Sequence, residues 1–397
     1  MDLDLLIVGA GPVGLSLACA LAGRDGDLRV GLVAGERPPP RSREEDAGEP
    51  PDARVYALSP GNVAFLRRIG AWQQLDPRRV TPVRGMRIHG DEPGARLEFD
   101  AYAAGVPELA WTVEDRLLNE ALWRALEQRE TIRVHAPARC ESFEAEEKAA
   151  RVRLQGGGAL TADLVAAADG ADSFIRRQAG IEAKHGDYGQ SAVVANFECE
   201  SDHAGTARQW FQGGFQGGGV LALLPLPGRR ISMIWSLGSA EAASTAALDP
   251  GALCRAVESA THGETGALAP LTPARSYPLR RLSARRMIGS RLALLGDAAH
   301  VVHPLAGQGL NLGLQDVRQL AQLLAERGPR MPADERLLRA YERRRAEPIL
   351  AMDFVVDGLF RLFGASTGAA RVLRNTGLNL TDRLAVIKNI LIRQAMA

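Results

Sequence analysis

The chain opens on a run that few folds can accept. Residues 3–8, LDLLIV, form a short apolar segment of the kind found in strands covered on both faces. GAGPVG follows at once, with Gly9, Gly11 and Gly14 in GxGxxG spacing, and Leu15, Leu17, Ala18 and Leu21 then recur as one helix face does. A buried strand, a glycine turn and a helix in direct succession predict a parallel α/β sheet. The three glycines permit a tight turn, close approach of a pyrophosphate and helix-on-strand packing. The next strand covers Arg29–Val33. An acid at its end would hold the ribose hydroxyls, but Ala34 stands there, and Glu36 is the nearest acid that can substitute.

A second stretch carries a comparable density of turn chemistry. After the apolar run Leu292–Leu295 come GDAAHVVHPLAGQGLNLGLQDV and a helical pattern through Leu310, Leu314, Val317, Leu320, Leu323 and Leu324. Glycines at 296, 307, 309 and 313 sit among two histidines and a proline. Unpaired N–H groups at a helix start, next to glycine, make a seat for an anion or the edge of a flat ring. Asp297, at the end of the strand, is placed to hold a ribitol or ribose hydroxyl, and Pro304 stiffens the turn where a planar ring would rest.

Bulk properties narrow the function classes. With 397 residues and 46% hydrophobic content, the chain can bury more than one domain. Its 48 basic and 47 acidic residues leave a net charge of +1, which argues against nucleic acid as the main partner. Cys19, Cys140, Cys199 and Cys254 are scattered and show no ligand spacing, so free thiols in a reducing compartment are expected. No metal site is expected, because His300 and His303 lack a carboxylate or cysteine to complete a set. No signal peptide or membrane span is read, and a cytoplasmic protein is expected.

Between the two glycine stretches the chain changes character more than once. Residues 36–52 are rich in proline and charge and read as surface loop, while Ser59 and Pro60 mark a helix start. A helix is expected through Leu117–Leu126, and strands around 80–100, 132–154 and 159–168. Residues 190–237 read as an antiparallel meander whose Trp210, Phe211, Leu221, Leu223, Met233 and Trp235 are candidates for an apolar pocket or for a sheet–helix core. Past residue 316 the chain reads as helical, punctuated by Pro332 and Pro348. Its basic run through Arg336, Arg339, Arg343, Arg344 and Arg345 is expected to be a solvated face, and Leu380, Leu384, Ile387, Ile390 and Leu391 share a helical face near the end.

GDAAH followed by HPLAGQGLNLGLQD resembles the signature of the UbiH/UbiF/VisC family of FAD-dependent ubiquinone-biosynthesis hydroxylases, within the class of single-component flavin aromatic hydroxylases. ADGADSFIRR, residues 168–177, resembles that class's second motif, and the three motifs stand in the family's order. The resemblance implies an α/β fold of para-hydroxybenzoate-hydroxylase type: a Rossmann-like FAD-binding domain over 1–75, 105–187 and 276–330. An antiparallel β-sheet substrate domain over 76–104 and 188–275 is inserted in it, and a helical region covers 331–397. It implies FAD as cofactor and NADPH or NADH as electron donor. It also implies hydroxylation of the aromatic ring of a polyprenylated phenol by O2 through a flavin C4a-hydroperoxide, which requires exclusion of water. Arg54, Arg116 and Asp169 would join the glycines and Asp297 around FAD, with Arg176 fixing Asp169 or approaching the pyridine nucleotide. Backbone near Gly309, Leu310 and Asn311 would anchor the pyrimidine edge. His303, Pro304, Leu305, Ala306, Gly307 and Gln308 would shape the reactive edge, His303 as base or as hydrogen-bonding partner within the turn. Two rivals stay open, a flavin hydroxylase of a small aromatic acid and a non-catalytic FAD-binding component. So do contacts with a Ubi biosynthetic complex, the membrane surface or a second copy.

Overall fold

Five parallel strands form the floor of the molecule, in the order Leu292–Leu294, Ala159–Ala167, Leu3–Val8, Val30–Val33 and Ile132–His135. In this computed structural model, residues 2–22, 28–39, 51–90, 95–129, 131–211, 219–303 and 308–364 are described. The Ile288–Gly289, Cys140–Ala145 and Ala150–Leu154 strands extend that sheet in antiparallel fashion. Helix Pro12–Leu21 lies between helices Asp115–Glu127 and Gly309–Ala325. Leu5, Ile7, Leu15, Leu17, Leu118, Leu122, Leu314 and Val317 fill one core between these layers. Each such side chain stabilises the fold by about 1.5–3 kcal/mol relative to leaving it in water.

A second sheet of nine strands stands over the first. It runs His300–Val301, Arg275–Ala284, Ala183–Cys199, Arg230–Gly238, Val220–Leu226, Thr206–Phe211, Gly85–His89 and Arg96–Asp100, with Leu268–Pro270 joined to Ala183–Cys199. The strand Arg275–Ala284, expected with the nucleotide-binding part, pairs instead along Ala183–Val194 of this sheet. The chain therefore returns to the parallel sheet only at Ile288. A three-stranded sheet of Val55–Leu58, Ala110–Glu114 and Thr81–Val83 links the two layers. Ser59 caps helix Pro60–Arg68, its hydroxyl accepting from Asn62 N at 3.3 Å with Pro60 in the first turn.

The last described helix, Glu335–Gly364, contains Pro348 without ending there. Its basic run is not uniformly solvated, because Arg345 is buried. The apolar face expected at 380–391 lies outside the described residues. No described helix is long and apolar enough to cross a membrane.

Candidate active site

Three segments far apart in sequence meet where four glycines pack. Gly9 has φ +108°, and a Cβ there would lie 2.3 Å from Ala168 O and 2.9 Å from Asp169 N. A Cβ on Gly14 would lie 1.9 Å from Gly9 O. Gly313 and Gly296 both press on Val13, at 2.8 Å and 3.0 Å from its Cγ2. Only glycine allows these approaches, so the N-terminal turn, the Asp169 turn and the Gly296 turn are locked together. Gly11 and Gly309 differ from these four: a Cβ on either meets nothing within 4 Å. Each stands at the start of a helix whose N-cap residue, Gly11 or Gln308, offers no side-chain cap. The first intrahelical bonds are Leu15 N to Gly11 O and Leu312 N to Gln308 O. Two uncapped, positive helix ends thus open beside one another.

Asp297 lies on the turn after strand Leu292–Leu294, exposed to solvent yet close enough to protein to be desolvated. Its carboxyl is raised above the ordinary value, chiefly by desolvation, while His300 and Arg54 pull it down. Arg54 feels Tyr56, Asp115, Asp297 and Tyr277, which hold its guanidinium charged against the opposing effect of burial. Its Nη1 lies 3.8 Å from Asp115 Oδ2 and its guanidinium carbon 5.5 Å from the centre of the Tyr56 ring. Tyr56 OH donates to Asp115 Oδ1 at 3.1 Å. Arg116 begins the next helix, its N–H 3.3 Å from Asp52 Oδ2 and its Nη1 3.2 Å from Glu120 Oε1. Asp169 is held by Ser173 Oγ at 2.6 Å and by Ile175 N at 3.1 Å. Arg176 is buried and donates to Ala298 O at 2.7 Å and Ala171 O at 2.9 Å; burial disfavours its charged form, and the Asp169 carboxylate favours it. Arg176 joins the second motif to the third.

Several expected residues are elsewhere or differently employed. Ala34 is buried, its N–H bonded to His135 O, and Glu36 lies exposed beyond it. The Asn311 side chain braces the helix start, accepting from Ser59 N and Asn62 Nδ2 at 2.9 Å each and donating to Ala57 O at 2.8 Å. Only its backbone, with that of Gly309 and Leu310, remains at the helix mouth. His303 is fully buried, its Nε2 3.2 Å from Gln190 Oε1 and its ring edge-on to Tyr188 at 4.7 Å. Burial pushes its pKa down to about 4, so the ring is neutral at pH 7. Gln308 precedes the helix; Pro304, Leu305, Ala306 and Gly307 lie outside the described residues.

The six pocket candidates of the upper sheet divide between its faces. Trp210, Leu221, Leu223, Met233 and Trp235 pack with Phe197, Leu253 and Val257 into a core beneath helices Ser239–Ala246 and Pro250–Ala260. Phe211 pairs with Val220 and so shares the opposite face. That face also carries the cross-strand sets Val194, Ile234 and Ala222, and Asn196, Ser232 and Leu224. It looks toward the nucleotide-binding layer, because Asn196 Nδ2 donates to Asp52 O at 2.7 Å. Both faces carry apolar side chains, the inward one with Asn196 and Ser232 among them, so composition alone does not choose between them.

Comparison with known proteins agrees with this geometry. The family described as FAD binding domain matches residues 2–352. Ubiquinone hydroxylase UbiL of Rhodospirillum rubrum is 34% identical over 99% of this chain and 89% of its own length. The 3-demethoxyubiquinol 3-hydroxylase of Escherichia coli is 31% identical over 99% of this chain and 98% of its own. The crystal structure of PqsL, a probable FAD-dependent monooxygenase from Pseudomonas aeruginosa, superimposes with a TM-score of 0.77 at 23% identity, covering 96% of this chain and 100% of that one. FAD fits the residues present: a Cβ on Gly11 would meet nothing within 4 Å, which leaves room for an anion at an uncapped helix start, and Asp297 is exposed to solvent. This chain belongs to the FAD binding domain family and is an FAD-dependent hydroxylase.

Proposed function

We propose that the protein hydroxylates the aromatic ring of a polyprenylated phenol intermediate of ubiquinone biosynthesis. The observation that carries this substrate class is the inward face of the upper sheet, where Val194, Ala222, Leu224, Ile234 and Phe211 form a largely apolar wall. Such a wall holds a ring bearing an apolar tail by area rather than by charge. The relatives named as ubiquinone hydroxylase and 3-demethoxyubiquinol 3-hydroxylase match almost the whole chain.

Bound FAD, reduced by NADPH or NADH, supplies the activation of O2. The polypeptide binds and orients. The N–H groups at Gly11 and at Gly309–Leu310 receive the anionic and pyrimidine parts of the cofactor, and Asp297 receives a hydroxyl of its ribityl chain. Arg54, balanced by Asp115, lies beside that carboxylate. His303 positions rather than titrates, since its ring is fully buried, neutral at pH 7 and bonded to Gln190. The apolar wall, buried at Val194 and Phe211 and half-buried at Ala222, Leu224 and Ile234, would shield the reacting edge from water once substrate covers it.

Purified protein loaded with FAD is expected to oxidise NADPH or NADH faster when a short-chain prenylphenol is added, with a product heavier by one oxygen atom in the mass spectrum. Faster turnover of a small aromatic acid than of any prenylphenol would overturn the substrate class. A protein that takes up no FAD would overturn the placement of the site.

A further inference from the structure

A buried ionic relay ties the last helix to the turn that carries Asp297. Asp316 is 0% exposed, and its Oδ2 accepts from Gly296 N at 2.8 Å and from His300 Nε2 at 2.7 Å. Its Oδ1 accepts from Arg345 Nε at 2.6 Å, and Arg345 is only 3% exposed. Arg345 also donates to Leu312 O at 3.2 Å and Gln315 Oε1 at 3.3 Å. The residues one turn before it on the same helix act on the same place. Tyr341 OH donates to Leu294 O at 2.8 Å, and Glu342 Oε1 accepts from Met287 N at 2.8 Å. Leu294 and Gly296 flank the end of the strand from which Asp297 projects. Burial alone would raise the Asp316 carboxyl, yet His300, Arg345 and the Gly296 N–H hold it below its ordinary value.

Tyr341 also fills the main core, whereas Asp316, His300 and Arg345 are buried polar groups. A buried ion pair is weak evidence of stability, since an apolar replacement of equal volume often does as well. Fixing a geometry is the better-supported use. We propose that Asp316 and Arg345 are positioning residues for FAD, setting the Gly296–Asp297 turn through the Gly296 N–H and His300. The relay gives the helix Glu335–Gly364 a hold on the turn that the glycine junction alone does not provide.

The proposal rests on the FAD site assigned above but not on the substrate, so it is tested by FAD titration and visible circular dichroism without substrate. Asp316→Asn alone leaves Arg345 buried and unpaired. The double variant Asp316→Asn, Arg345→Gln removes both charges, and Arg345→Lys keeps the charge but loses the fork. The double variant is expected to bind FAD about ten- to a hundredfold more weakly, as loss of charge-assisted bonds implies. Its bound flavin is expected to show an altered visible dichroism band, and Arg345→Lys to fall between it and the wild type. A double variant or Arg345→Lys that folds with lowered melting temperature, yet keeps wild-type Kd and dichroism, would reduce the relay to a structural brace. If the double variant does not fold, Arg345→Lys decides alone by the same two readouts. A wild-type protein that fails to bind FAD would instead overturn the site assignment, a separate outcome.

Discussion

The glycine junction and the upper sheet both build the cleft, but they carry their information differently. At the junction, Gly9 and Gly14 meet backbone and Gly296 and Gly313 meet the Val13 side chain, at distances that leave no room for a Cβ. Gly9, Gly14, Gly296 and Gly313 therefore mark in the sequence the points where distant segments touch. In the sheet, contact is between side chains, and two apolar faces alternate along every strand. Trp210 and Leu221 look one way and Phe211 and Val220 the other, with nothing in their chemistry to say which way is inward. Backbone approach is written at single positions; the facing of a sheet depends on what is layered upon it.

The hardest test of the junction is Gly14→Ala. Its Cβ would meet a backbone carbonyl at 1.9 Å, which cannot move aside as a side chain end can. The expected loss is about 4 kcal/mol or more, above the usual cost of overpacking, measured by urea unfolding of the FAD-free protein. A variant of wild-type stability would mean that the junction yields easily and that its glycines mark nothing. Met233→Ala is next in size. Met233 is fully buried under the two helices, and its truncation is expected to cost about 3 kcal/mol with the KM for substrate little changed. Ile234→Ala, one residue on and facing the other layer, is expected to do the reverse, raising KM severalfold at nearly wild-type stability. Equal effects at 233 and 234 would erase the distinction between the faces.

His303 belongs to both regions, closing the third motif while bonding to Gln190 of the sheet. Its folded pKa of about 4 lies below the unfolded value of 6.5, so between those values the unfolded chain binds the extra proton. The stability it contributes is whole above pH 6.5 and is lost as pH falls through 4, a change on the order of 3 kcal/mol for about 2.5 units at 1.36 kcal/mol per unit. Unfolding midpoints compared between wild type and His303→Gln are expected to converge as pH falls through that window. Parallel curves would show that the ring is reached by solvent and free to act as a base.

What was legible follows the same division. The N-terminal strand, turn and helix, the Ser59 cap and the order of the three motifs stand in the sequence because each rests on glycine, proline or a capping hydroxyl at a fixed spacing. Arg345 was hidden because a run of arginines usually faces water. The signal that marks it is spacing: Tyr341 and Arg345, four apart, lie on one helix face and reach Leu294 and Asp316. Asn311 reads as a backbone contact for the cofactor; its side chain bonds Ser59, Asn62 and Ala57, a further role that only the approach of residues 55–62 reveals. The bond from Arg176 was hidden for the same reason: its partner, Ala298 O, is 122 residues away.

The smallest expected change in stability is the sharpest test, because it separates two kinds of glycine in one motif. Gly11 has φ −77° and ψ −179°, an extended conformation open to any residue, and a Cβ there meets nothing within 4 Å. The protein alone gives no reason for glycine at that position. Gly11→Ala is therefore expected to leave the FAD-free protein within about 0.5 kcal/mol of wild type, the ordinary range for a substitution away from the core. A pyrophosphate resting on the uncapped helix end would meet the new methyl group, so FAD affinity is expected to fall at least about tenfold. The extra stability conferred by saturating FAD, which grows as RT ln(1 + [FAD]/Kd), then shrinks by about 1.4 kcal/mol for each tenfold loss. Melting curves with and without FAD read both quantities on one sample. If Gly11→Ala destabilised the FAD-free protein as Gly14→Ala does, the open space beside Gly11 would belong to the fold, and the cofactor would have to be seated elsewhere.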